Sequence, residues 1–261
     1  MKPKLNFLAT CFKINNLSFA LLNETWLYKG DPQAKKLLSD IKIEHNIEII
    51  RRDRDSRGGG VAVAFDSSLM NLRKLDLSAL NGKKRFEILA VRGKVKGYKN
   101  EITAFSCYLP PKLTRQESAD FFDVLTDAIA ESRTTSEGWI TVGGDWNNRP
   151  LAPVLDLFPE IKKLSTPPTR KDRTLDILCN NFNPYVKNAI VCSPLEGEIG
   201  QVSDHKIVLF EALLPRPKAF TWQTHEYLQI TDRGKERFIE LLNTMDWSTL
   251  KSAWPDQNKN G

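Results

Sequence analysis

Where an apolar run ends, "GWITVGG" hands over directly to Asp145, Trp146 and Asn147. Two readings of that junction stand. Gly, Asp and Asn favour turns for local backbone reasons, so "VGGDWNNRP" can be a turn and nothing more. A carboxylate and an amide at the mouth of a sheet can equally bind a cation or take a proton, and hold an oxyanion. Other apolar runs carry polar groups at their ends in the same way. Glu24 follows "ALLN", Tyr108 follows "AFSC", and Asp176 lies inside "TLDIL". Ser203, Asp204 and His205 stand immediately before "KIVLFEALL".

Most of these have an ordinary structural reading too. Glu24 can be a solvated turn acid, Tyr108 a packed aromatic with a wet hydroxyl, and Asp204 with His205 a strand-start cap. Asp176 resists such a reading, because a carboxylate flanked by Leu175 and Ile177 in a strand is costly to bury unpaired. His205, one of only 3 histidines, is a suitable partner. Together the residues supply hard oxygen ligands, an Asp–His pair, a phenol and an amide. That set suits Mg²⁺-assisted cleavage of a phosphodiester. The chain has no Walker A loop, no GxSxG and no HExxH, which other chemistries require.

The elements that must hold these groups are legible in outline. Leu5, Leu8, Phe12 and Ile14 recur as one face of a helix over 3–15, and "LSFALLNETWL" reads as a buried strand leaving at Glu24. "DPQAKKLLSDIK" is a short amphipathic helix with Pro32 near its start. "IEIIRRDR" is a strand, "SRGGG" a turn, and "GVAVAF", "FEILAVRGKV" and "EITAFSCYL" are further strands. The helix over 114–133 carries a capping box, Thr114 with Glu117, and buries Phe121, Leu125, Ala128 and Ile129. Strands "TLDILCNN", "VKNAIVCS" and "HKIVLFEALL" follow the short segment "APVLDLF". This order is a sheet-rich α/β (α+β) mixture rather than regular βα alternation. It predicts a two-layer β-sandwich flanked by helices.

Composition sets the surroundings. A chain of 261 residues fits one large domain, or a domain with an appendage, and "PRPKAF" marks a boundary near residue 215. Residues 1–214 form the first domain; 215–261 hold a linker, an amphipathic helix over 233–250 and a disordered tail, "PDQNKNG". A formal charge of +6 mildly favours phosphate-bearing partners. The 4 cysteines show no CxxC pair, which points to reduced intracellular thiols and against cysteine-bound zinc. No secretory leader and no run of membrane-spanning length is present, so a soluble protein with no membrane partner is expected.

"NETWL", "RRDRDSRGGGVAVAF", "FEILAV", "YLPP", "GGDWN", "TLDIL" and "SDHK" occur in this order. Together they resemble the endonuclease domain of non-LTR (LINE-type) retrotransposons. That domain belongs to the endonuclease/exonuclease/phosphatase superfamily, with deoxyribonuclease I and the apurinic/apyrimidinic endonucleases. The resemblance covers about residues 3–214, and "ETWL" with the arginine-and-triglycine element points to the retrotransposon branch. It implies a deoxyribonuclease I-like fold, DNA as partner, Mg²⁺ as cofactor with Mn²⁺ as a substitute, and action in the nucleus or the cytoplasm.

The resemblance also implies roles. Asp145 is the base, Asn147 holds a phosphate oxygen, and Glu24 is the principal metal ligand. His205 contacts the scissile phosphate, Asp176 orients its imidazole, and Asp204 lies near the metal. Tyr108, Thr169 and Ser203 contact phosphate or line the site. Arg51, Arg54 and Arg57 in the glycine-rich hairpin can be a solvated turn or can meet the DNA backbone, as can Lys171 and Arg173. "FIELLNTMDWSTL" is similar to the connector before a reverse transcriptase, a domain absent from this chain.

The family opens on a strand ending in asparagine, and that strand is missing before the first helix here. Its loss is expected to expose neighbouring strand edges. Three functions therefore remain open: a DNA-nicking endonuclease, the same domain without catalysis as a fragment or nucleic-acid-binding remnant, and a superfamily relative acting on another phosphoester.

Overall fold

The computed structural model describes residues 2–28, 30–54, 58–77, 85–135, 138–187, 189–192, 203–215 and 231–246. The tail "PDQNKNG" and Arg57 lie outside the described residues. Two compact units divide the chain, Met1–Pro217 and Lys218–Gly261. The second contributes one described helix, Asp232–Thr244, whose first turn is capped by the Thr231 hydroxyl accepting from Gly234 N at 3.2 Å.

The first unit is a sandwich of two sheets with helices on both outer faces. In chain order its elements are α1 (Lys2–Asn15), β1 (Phe19–Asn23), α2 (Pro32–His45), β2 (Ile47–Arg52) and β3 (Val61–Asp66). Next come β4 (Met70–Lys74), β5 (Glu87–Val95), β6 (Glu101–Tyr108), α3 (Arg115–Thr135) and β7 (Trp139–Asp145). The series closes with α4 (Ala152–Leu157), β8 (Lys162–Lys163), β9 (Asp176–Asn180), β10 (Ile190–Cys192) and β11 (Ile207–Leu209). One sheet has the order β4-β5-β6-β7-β9-β8, another β1-β3-β2, and β10 pairs with β11.

Alternation along the strands builds three apolar layers. On β5 and β6, Leu89, Val91, Ile102, Ala104 and Tyr108 face the sandwich interior, where Val61, Val63 and Phe65 of β3 meet them. Their alternates Ile88, Ala90, Phe105 and Cys107 face outward onto α3 through Phe121, Leu125 and Ile129. The third layer packs Ala9 and Phe12 of α1 and Ile41 of α2 on Ile47 and Ala64. The capping box of α3 is formed as expected: Thr114 N donates to Glu117 Oε2 at 2.7 Å and Glu117 N to Thr114 Oγ1 at 3.1 Å. The cysteines are free thiols.

Four features differ from the expectations. β1 is half-buried rather than buried, because it is an edge strand. β4 and the two-residue β8 are additional strands, and Asn183–Tyr185 is a 3₁₀ turn. β4 is too short and too charged for its Met70/Leu72 alternation to stand out in sequence. Asp176 is the first residue of its strand rather than an interior one, so its carboxylate keeps partial solvent access. Among the described residues β1 and β11 are both edge strands, and both line one cavity of about 1320 Å³.

Candidate active site

The topology gathers the polar strand ends at one end of the sandwich. β6 and β7 run parallel, as the α3 crossover between them allows, so Tyr108 and Asp145 both terminate their strands there, in register. β9 is antiparallel to β7, so its first residue Asp176 lies opposite Asp145. β5 is antiparallel to β6, so its first residue Glu87 lies opposite Tyr108. The result is a row, Glu87–Tyr108–Asp145–Asp176, across four neighbouring strands. All four positions share the alternation phase that faces the sandwich interior. From the other layer, Glu24 follows the end of β1 and His205 precedes β11. Glu24, Asp145, Asp176 and His205 line the same cavity.

The "VGGDWNN" junction stands at the end of β7, beside the row of strand ends. The junction is a turn: Asn147 N donates to Asp145 Oδ1 at 3.0 Å, and Asn147 and Asn148 have φ of 44° and 64°. It is also the floor of the site, with Asp145 only 7% exposed. Gly144 has φ +143°, and a Cβ there would run into the Cys107 carbonyl oxygen and sit 2.7 Å from Asn23 Nδ2. Glycine lets β6 and the end of β1 close against β7. Asn23 completes that closure by donating to Cys107 O at 2.9 Å while Ser106 Oγ donates to its carbonyl oxygen at 3.1 Å. Trp146 points the other way, into the α3 layer, edge-on to Phe121 at 5.3 Å.

Burial pushes the Asp145 carboxyl up to about 6, and the Asp176 carboxylate adds to the rise. His205 and the Asn147 amide oppose it in part. His205 Nδ1 donates to Asp176 Oδ2 at 2.8 Å, and that hydrogen bond raises the imidazole above its ordinary value against the cost of its burial. The Tyr108 hydroxyl donates to Glu24 Oε1; burial and that bond both raise the phenol well above its usual range. The hydrogen bond to Asp176 engages Nδ1 of His205.

Other expected site residues have different placements. Thr169 is fully buried, and its hydroxyl accepts from the amides of Leu175 at 3.1 Å and Asp176 at 3.2 Å. It holds the strand start that carries Asp176 and is shielded from a phosphate. Ser203 Oγ accepts from His205 N at 3.0 Å, a local turn beside the imidazole. Asp204 is exposed and paired with Arg170 Nη2. Asn147 Nδ2 donates to Leu109 O at 2.8 Å, which leaves one amide hydrogen for a ligand. Arg51 Nη2 pairs with Asp53 Oδ2 at 3.4 Å, and Arg54 is drawn inward onto Glu87. Lys171 and Arg173 are exposed on the turn that carries Arg170.

Glu87, Asn23 and Arg170 escaped the sequence reading. Glu87 carried the same signal as Asp176, a lone carboxylate in an apolar strand, "FEILAV". Nothing in sequence marks Asn23 or Arg170, whose partners are distant in the chain.

No protein-family model matches the chain, and no curated protein matches it. Solved structures do. The 3′ phosphatase NExo from Neisseria, bound to a product DNA hairpin, superposes with a TM-score of 0.60 at 15% identity, over 80% of this chain and 94% of its own. The mannosyl-6-phosphatase of Bacteroides thetaiotaomicron gives 0.59 at 14% identity, over 80% and 90%. Truncated Caenorhabditis elegans TDP2 gives 0.58 at 13% identity, over 79% and 89%. The fold is therefore that of the deoxyribonuclease I-like endonuclease/exonuclease/phosphatase proteins.

Proposed function

We propose that this protein is a Mg²⁺-dependent endonuclease that nicks DNA phosphodiester bonds by water attack, and that it is of retrotransposon origin. The observation that carries the reading is the in-register row of Tyr108, Asp145 and Asp176, faced by Glu24 and by His205. The ordered motifs from "NETWL" to "SDHK" support the origin. DNA as partner, a reverse transcriptase as companion domain and a nuclear site of action follow from that origin. Among the described residues, no helix is long and apolar enough to cross a membrane.

The donor chemistry fits Mg²⁺, which takes one or two carboxylates plus waters and substrate phosphates rather than an all-protein cage. Among the described residues no three His, Cys, Asp or Glu groups cluster as a metal cage. Glu24 would hold the ion, which when bound supplies Lewis-acid charge stabilisation to a phosphoryl oxygen. Mn²⁺ would serve in its place. Asp204 is a weaker second ligand, because Arg170 already neutralises it.

The chain's own groups do the rest. Asp145, with its carboxyl near 6, is ionised at neutral pH yet basic enough to take a proton from water. His205, oriented by Asp176 and raised toward its protonated form, donates to a phosphate oxygen as negative charge grows. The remaining Asn147 amide hydrogen holds another oxygen. Lys171, Arg173 and Arg170 offer the DNA backbone contacts that set register without reading sequence.

Two of the neighbours are named as phosphatases, so a phosphomonoester is the rival substrate. Purified protein with Mg²⁺ should convert supercoiled plasmid to open circles while leaving p-nitrophenyl phosphate and mannose 6-phosphate intact. The rate should climb through about pH 6 as Asp145 ionises. It should fall again above His205's raised value. Phosphate release from the small esters with untouched plasmid would replace the endonuclease reading by a phosphatase.

A further inference from the structure

The arginine-and-triglycine element was open to two sequence readings, a solvated turn or a DNA contact. The structure gives it a third use. β2 ends and β3 begins at the same end of the sandwich as the site, so the turn between them lies beside the segment that leaves β1. Gly60 O accepts from Thr25 N at 3.1 Å and Gly59 O from Trp26 N at 2.8 Å. The gripped segment is strained: Glu24 and Trp26 have φ of 50° and 57°, a left-handed conformation that costs a non-glycine residue free energy. Gly60 has φ +88°, and a Cβ on it would collide with Thr25 Oγ1. Only a bare backbone can lie this close.

Glu87 ties the turn to the row of strand ends. It is 3% exposed and uses both carboxylate oxygens, accepting from Arg54 Nε on one and from Gly60 N at 2.8 Å on the other. Arg54 also donates to Arg85 O at 2.8 Å, and its guanidinium stands 5.8 Å from the Tyr108 ring centroid. Tyr108 in turn donates to Glu24 Oε1. The segment that follows Glu24 is therefore held at Thr25 and Trp26 by the glycine turn, the Glu24 carboxylate is held by Tyr108, and both holds converge on Glu87.

We propose that Arg54 is a positioning residue for the Glu24 carboxylate, acting through Tyr108 and anchored by Glu87, with the Gly59 and Gly60 carbonyls fixing the backbone just after Glu24, at Thr25 and Trp26. The proposal rests on the reading of Glu24 as a cation ligand. It assigns Arg54 to ligand geometry and away from DNA contact, whereas exposed Lys171 and Arg173 remain free for the backbone.

The test is Mn²⁺ binding, followed by water-proton relaxation on the full chain without DNA. Arg54→Met alone would leave a buried carboxylate unpaired and endanger folding, so the variant used is Arg54→Met with Glu87→Gln. Gly60→Ala probes the backbone hold separately, and circular dichroism melts confirm that each variant folds. Loss of an outer support for a metal ligand typically costs about 10–100-fold in metal affinity, and at least 10-fold is expected in both variants. At saturating Mn²⁺, kcat for nicking should be largely restored and KM for DNA unchanged. Wild-type Mn²⁺ affinity in both folded variants would overturn the proposal. So would weaker DNA binding with a salt slope reduced by about one, the mark of a lost phosphate contact. If the wild-type protein itself takes up no Mn²⁺, the reading of Glu24 as a ligand falls first and the proposal with it.

Discussion

Replacing Asp145 by asparagine is expected to abolish most nicking and to make the fold more stable at neutral pH. The first effect follows from removing the proton acceptor, which contributes about 10²–10⁴-fold in rate. The second follows from the raised carboxyl. A group whose folded value, about 6, lies above its ordinary 3.8 contributes stability that is fully present below the lower value. That contribution is lost as pH rises through the higher one. At pH 7 the native state therefore carries an ionised carboxylate in a buried site beside Asp176. The penalty is about 3 kcal/mol at roughly 1.4 kcal/mol per pKa unit. Asparagine keeps the shape and removes the charge, so urea or thermal melts at pH 7 should show a gain, and melts at pH 4 should show almost none. A variant that nicks at the wild-type rate removes Asp145 from the chemistry. A variant less stable at pH 7 would show that the carboxylate is held by interactions stronger than its burial cost.

His205→Ala carries the second large effect. A positioned donor to developing negative charge is worth about 10²–10³-fold in kcat, with KM for DNA moved much less. Asp176→Asn should lose part of the same factor, because the imidazole keeps its place but loses the partner that raises it. The pH profile separates the two roles. In Asp176→Asn the alkaline limb should move to lower pH, since the hydrogen bond that lifts His205 is weakened, while the acid limb also shifts down as Asp145 loses a charged neighbour. An alkaline limb unchanged in Asp176→Asn would assign that limb to a group other than His205. Single-turnover nicking across pH 5 to 9 gives both limbs.

The sandwich was legible because its strands alternate so cleanly. Val61, Val63 and Phe65 against Ala62 and Ala64 announce a strand buried on both faces, and Phe121, Leu125 and Ile129 announce the helix that covers the outer face of the other sheet. The catalytic candidates were legible for a related reason: a charged residue beside an apolar run is costly unless it has a use, and Asp145, Asp176 and His205 all stand at such places. What stayed hidden was direction. Arg54 and Lys171 are both cations in polar stretches, yet one turns inward to Glu87 and the other faces solvent. Thr169 is a phosphate contact by the resemblance, but two amides of the following segment claim its hydroxyl. Pairings between β5 and the β2–β3 turn, or between Asn23 and β6, depend on strand order, which no local pattern encodes.

The most direct measurement is conversion of supercoiled plasmid by the purified protein in Mg²⁺ and in EDTA, with Asp145→Asn alongside. Open circles that form in Mg²⁺, vanish in EDTA and fail to form with the variant are the predicted result. Folded protein that binds plasmid in a salt-sensitive way but leaves it supercoiled in Mg²⁺ would contradict catalysis and leave a nucleic-acid-binding domain in its place.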